Sequence, residues 1–197
     1  MIATLLLTTT ILLRVEAPSP AATAAAAEPA SPVTTTRESA PEKALRFEVT
    51  LPASVDEVWT ALATTEGLET WLWRDARVEL RPGGDWLALL PEGKTAGGSV
   101  LSFVPRRELV LHAMAPEWFP TVRKERTTAA FTLEAVSPSS TRLTLRQTGW
   151  KQGKEWDDAY DYLAKGNAQL LTQLYARFVR GPATWPAAEN QPAGAAH

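Results

Sequence analysis

The chain has 197 residues, room for one domain of ordinary size plus tails, and its 45% apolar and 21% charged content is that of a globular protein. A formal charge of −2 with no run of Lys or Arg argues against nucleic-acid binding, which needs a basic face. Cys is absent and the histidines are His112 and His197, so disulfides, thiolate metal sites and His-based metal clusters are excluded.

The chain begins with a short apolar run, residues 2–13, IATLLLTTTILL. It falls short of the ~20 apolar residues of a transmembrane helix but has the length of a signal-peptide core. No Lys or Arg precedes it and Arg14 follows it, a departure that a mis-assigned start codon would explain. The next stretch is rich in Ala, Pro, Thr and Ser and offers small-residue cleavage sites such as Ala25-Ala26-Ala27. The expectation is a signal peptide over 1–27, export to the periplasm or beyond the cell, and a disordered linker over 28–43. No stable membrane span is expected after processing. A disordered extension with a chance apolar start, on a cytoplasmic protein, is the alternative. The tail 183–197 has a similar composition and is expected to be disordered.

The folded part is expected at 44–182. ALRFEVTL alternates Leu45, Phe47, Val49 and Leu51 against polar residues, which predicts a half-buried strand ended by Pro52. Ser54 precedes VDEVWTALA with Glu57 three residues on, a capping box opening a short helix. A second short helix is expected at about Thr65–Trp73. Strands then follow at ARVEL, WLALL, SVLSFV and ELVLHAM, with turns at Arg81–Asp85 and Pro91–Gly98. APEWFPTV reads as a loop. TTAAFTLEAV and TRLTLRQTGW alternate clearly: Phe131, Leu133, Leu143, Leu145 and Gln147 share one parity, and charged or hydroxyl side chains take the other. One face of an antiparallel sheet is therefore wet and the other covered.

The cover is supplied by residues 156–180. Trp156, Tyr160, Leu163, Leu170, Leu171, Leu174 and Phe178 recur at helical spacing, acids crowd the first turn, Arg177 and Arg180 the last, and Gly181-Pro182 ends it. Strand, two short helices, six strands and a long helix make an α+β domain.

That order resembles the helix-grip arrangement of the START/SRPBCC superfamily, a curved antiparallel sheet of about seven strands wrapped around a long C-terminal helix. The residues resemble, within it, the homologues of the heat-shock protein 90 ATPase activator C-terminal domain. LPASVDEVWTALATTEGLETW is similar to that family's entry strand and helix, RPGGDW to its Gly-Gly hairpin, and VLSFVPRRELVLHAM to its P-P-R-R-L-V strand pair. LTLRQTGW followed by EWDDAYDYLAKGNAQLLTQLYARF is similar to its last strand and helix. Ala113 and Asn167 stand where the family usually or often carries Trp, which suggests a roomier interior. The resemblance implies a cavity between sheet and helix. It leaves three function classes open: an exported binding protein for an apolar or amphipathic small molecule, a protein-interaction or chaperone-like module with an unknown protein partner, and a cyclase- or dehydratase-type enzyme.

Candidate cavity residues follow from this arrangement. The rings Trp73, Trp86, Trp118, Phe119 and Phe131 would form walls or mouth, together with Met114. Trp156, Tyr160, Leu163, Gly166, Asn167 and Leu170 would come from the long helix, with Gln147 opposite Asn167. His112 lies in a strand apolar on both faces, so its side is open. With Gln147 it is the one polar pair available for catalysis, and no catalytic residue is assigned. Asp157-Asp158 reads as helix N-terminal charge. No cofactor or metal signature is found.

Overall fold

The computed structural model of the protein describes residues 31–185. The expected signal peptide, the first residues of the linker and residues 186–197 lie outside the described residues.

Eight strands form one antiparallel sheet: β1 (Thr34–Glu38), β2 (Ala44–Leu51), β3 (Ala76–Val78), β4 (Asp85–Leu89), β5 (Thr95–Val104), β6 (Glu108–Ala113), β7 (Thr127–Ser137) and β8 (Ser140–Thr148). Their spatial order is β1-β2-β8-β7-β6-β5-β4-β3. Four helices accompany it: α1 (Val55–Ala63), α2 (Thr65–Glu69), α3 (Pro120–Glu125) and α4 (Lys154–Arg180). The sheet curves around α4, which is the helix-grip arrangement, and the seven expected strands are all present.

Alternation decides which side is covered. Phe47, Val49 and Leu51 of β2, Phe131 and Leu133 of β7, and Leu143 and Leu145 of β8 are buried, while Glu134 and Arg142 of the opposite parity are exposed and ion-paired at 2.8 Å. Tyr160, Ala164, Leu171 and Leu174 of α4 complete the same core. Ser54 caps α1 as a full capping box with Glu57. Thr64 then caps α2 through Gly67 N–H. Trp71, just past α2, and Trp86 of β4 are both fastened to α1: their indole N–H groups donate to Ala61 O and Leu62 O, each at 2.8 Å.

Five local expectations are corrected. The stretch 28–43 is not all linker, because residues 34–38 form β1, paired with β2 from Thr34↔Glu48 to Glu38↔Ala44. α2 ends at Glu69 rather than Trp73, where the Thr70 N–H and hydroxyl turn back onto Gly67 O. Gly97 and Gly98 are strand residues, since the turn closes at Lys94 and β5 starts at Thr95. They are needed for close approach: a Cβ would lie 2.2 Å from Trp86 O at Gly97 and 2.4 Å from His112 O at Gly98. The APEWFPTV loop runs into α3, with Pro120 in its first turn. Finally, the start of the tail is tied down: Ala183 N–H donates to Thr70 O at 2.8 Å and the Trp185 indole to Glu69 O at 2.7 Å.

Candidate functional site

A second, smaller apolar cluster sits beside the main core. Ala115, Val122, Trp156 and Ala159 are buried together, with Phe119, Trp150 and Leu163 against them. This cluster joins α3 to the first half of α4. Glu155 of α4 reinforces the joint: its carboxylate accepts from the free N–H groups of Thr121 and Val122 at 2.6 and 3.1 Å, capping α3 from outside. Desolvation pushes the Glu155 pKa up, but the bonds from the Thr121 hydroxyl and the two N–H groups outweigh it and hold the carboxyl below its ordinary value.

Between the two clusters lies a cavity of about 410 Å³. Packed interiors hold few voids larger than a water molecule, whereas ligand pockets run from about 300 to 1,000 Å³. The sheet supplies Trp86, Leu111, Phe131, Leu145 and Gln147, and α4 supplies Tyr162, Leu163, Gly166, Asn167 and Leu170. The remaining wall comes from Leu72, from the β4–β5 turn and the start of β5, and from the β6–α3 segment 114–118 with Arg123. Small side chains make the room: Ala96, Gly97, Ala113, Ala115, Ala129 and Gly166 all line it. Ala113 and Asn167, the two positions that suggested a roomier interior, are both on its wall.

One polar chain crosses the apolar lining. Asn167 Nδ2 donates to Gln147 Oε1 at 2.7 Å, and Gln147 Nε2 donates to Thr127 Oγ1 at 2.7 Å. Gln147 and Thr127 are each 3% exposed, so their mutual satisfaction is what makes burial tolerable. Where the cavity meets solvent, Trp118 is 63% exposed and its ring stands edge-on to Tyr162 at 5.4 Å, with Phe119 at 6.2 Å.

Of the expected cavity residues, nine line it: Trp86, Met114, Trp118, Phe131, Gln147, Leu163, Gly166, Asn167 and Leu170. Five do not. Trp73 is not in the lining and meets the Trp185 ring at 5.7 Å, the two planes tilted by 49°. Trp156 and Phe119 belong to the satellite cluster. Tyr160 donates to Ala44 O at 2.9 Å, and its ring meets Trp150 and the Arg37 and Lys43 cations. Burial raises the Tyr160 pKa, and the adjacent cations oppose that shift. His112 lies between Leu111 and Ala113, which face the cavity, so strand alternation turns it to the opposite face. The His112–Gln147 pair conceived for catalysis is therefore split by the sheet. Asp157 and Asp158 pair with Lys43 and Lys154, each at 2.7 Å.

Sequence reasoning missed Arg123, Tyr162 and the small residues Ala96, Gly97, Ala115 and Ala129. Arg123 follows the APEWFPTV loop in a stretch that received no assignment, and Tyr162 lies off the apolar stripe of α4. No group of three or more His, Asp or Glu side chains able to hold a metal occurs among the described residues. Nor, among them, is any helix long and apolar enough to cross a membrane.

The sequence matches the family model of the Activator of Hsp90 ATPase homolog 1-like proteins over residues 52–178. Similar folds include the Aha1 dimer from Colwellia psychrerythraea, solved in solution, at 18% identity and a TM-score of 0.58, covering 71% of this chain and 98% of that one. A crystallised protein from Mesorhizobium loti has 21% identity and a TM-score of 0.58, covering 71% and 99%. Another from Rhodobacter sphaeroides has 22% identity and a TM-score of 0.56, covering 75% and 97%. At these identities the likeness concerns the fold alone. No protein with a curated description matches the chain.

Proposed function

The chain belongs to the Activator of Hsp90 ATPase homolog 1-like family, and from that premise we propose that it is a binding protein that holds an apolar or amphipathic small molecule between sheet and C-terminal helix. The observation that carries this is the cavity of about 410 Å³, walled by rings and aliphatic side chains and crossed by a single amide pair. Apolar walls bind a ligand's body, while a few fixed polar groups orient it. Asn167 Oδ1 has no hydrogen-bond partner among the described residues and is free to accept from a ligand hydroxyl or amide. The apolar run before an Ala/Pro-rich segment supports export as the place of action, and N-terminal sequencing from the native host should then find the chain starting between about residues 17 and 31.

The test is titration with a neutral apolar fluorophore, N-phenyl-1-naphthylamine. Saturable, one-to-one fluorescence enhancement is expected. Enhancement that never saturates, or none, would remove the proposal. A second reading, a protein-interaction module like the similar Aha1 fold, is favoured by the exposed Trp118 and its ring neighbours Phe119 and Tyr162. It predicts that Trp118→Ser abolishes partner capture and that saturating the cavity with fluorophore leaves capture by the wild-type protein unchanged.

A further inference from the structure

We infer that the ligand is an amphipathic anion, an apolar body bearing one carboxylate or similar acidic group, and that Arg123 is the residue that selects it. The inference rests on the binding-protein reading and adds the chemical class.

Arg123 is half-buried on the cavity wall. Its guanidinium is held in place by neutral acceptors. Nη1 donates to Ala115 O at 2.7 Å, and Nη2 donates to Thr95 O at 3.2 Å and, more weakly, to Thr95 Oγ1 at 3.4 Å. Arg123 has no carboxylate partner among the described residues. A guanidinium carries five N–H donors, so Nε–H and one further N–H stay uncommitted. The result is a positioned cation, oriented by backbone carbonyls and paired with no carboxylate among the described residues, at the edge of an apolar space. A charge-assisted hydrogen bond to an anion is the interaction such a group makes best.

The other charges on the wall do not cancel it. Lys94 is paired with Glu92 at 2.7 Å outside the cavity. Glu117 also lines the cavity, but it makes no ion pair within 4.0 Å of Arg123. With Lys94 paired to Glu92, Arg123 is the cation of the lining left without a carboxylate partner among the described residues. The placement of Arg123 is a consequence of architecture: α3 is capped by Glu155 and anchored by Val122, which fixes the next residue toward the cavity.

The discriminating experiment compares decanoate with decanol at pH 8, each displacing N-phenyl-1-naphthylamine. The two share a body and differ in the headgroup charge. Wild-type protein should favour decanoate by about tenfold or more, the scale of one charge-assisted hydrogen bond, and Arg123→Met should bring the ratio close to one. Arg123→Lys should retain a preference, because it keeps the charge. Displacement by decanol as strong as by decanoate in the wild-type protein would overturn the anion inference while leaving the binding reading intact. A ratio unchanged in Arg123→Met and lost in Lys94→Met would overturn the assignment to Arg123. Failure of the fluorophore and both displacers to bind would overturn both readings together. Should Arg123→Met not fold, the wild-type ratio and its decline between low and high salt decide the matter.

Discussion

Asn167 of α4 and Gln147 of β8 are joined by a 2.7 Å hydrogen bond that ties the middle of the long helix to the sheet across the cavity wall. Gln147 is 3% exposed and spends its own amide N–H on Thr127. Removing Asn167 therefore strands a buried carbonyl oxygen. Asn167→Ala should cost about 1–2 kcal/mol in urea unfolding, the penalty for an unsatisfied buried acceptor. Asn167→Asp, which keeps shape but replaces the donor by an acceptor, should cost more. Equal stability of wild type and Asn167→Ala would mean that the bond carries no energy.

Gly166, one residue earlier, gives the opposite expectation. A Cβ there would meet nothing closer than Tyr162 Cε1 at 3.9 Å, an ordinary contact. Helix and sheet are thus not pressed together at this point, and the glycine leaves space. Gly166→Ala should stabilise by about 1 kcal/mol through helix propensity. Gly166→Leu should keep the fold but fill the cavity, lowering fluorophore affinity roughly tenfold. A destabilised Gly166→Leu of about 1–3 kcal/mol, the usual cost of overpacking, would instead show that the space is not there.

How much of this was legible in the sequence depends on whether side chains or backbone carry the element. β2, β7, β8 and α4 announce themselves because alternate or helically spaced apolar residues point into one core. β1 does not: TTTRE has four exposed residues and one half-buried, and it is held by strand pairing and by ion pairs such as Arg37–Asp161. α3 is six residues with one buried side chain, Val122, so no periodicity could reveal it, although Phe119-Pro120 carried the signal of a proline in a first turn. The cavity was legible in its rings and in Gly166 and Asn167. Ala96, Ala115, Ala129 and Arg123 were not, because an Ala or Arg says nothing of which face it takes until the strand register and the α3 cap are known.

Because β1 belongs to the fold, a chain beginning at Ala44 should be weaker than one beginning at Ser31. Truncation removes the β1–β2 ladder, the burial of Val33 (7% exposed) and the Glu38–Arg146 pair at 2.9 Å. Burial of a Val side chain is worth ~1.5–3 kcal/mol. The exposed pairs add little, and the ordering entropy of the lost strand offsets part of the loss. A net destabilisation of about 2 kcal/mol is expected in denaturant titrations. Identical midpoints for the two chains would show that β1 merely decorates the sheet edge.

Glu155 provides the pH-dependent prediction. Its carboxyl is held below the ordinary value because it accepts hydrogen bonds at the start of α3. For a depressed carboxyl, the stabilising contribution is complete above the ordinary Glu value and is lost as the pH falls through the lower folded value. Protonation releases the cap, and with it the segment that places Arg123 on the cavity wall. Hydrogen exchange at the Thr121 and Val122 amides, corrected for the intrinsic pH dependence, should therefore become severalfold faster on acidification through that window. Glu155→Ala should show the faster exchange already at neutral pH and no further acid-induced step. Glu155→Gln, whose carbonyl can still accept from both N–H groups, should fall between the two. Exchange at these two amides that is indifferent to both pH and substitution would place the fixing of α3 in the Val122 and Trp156 packing alone.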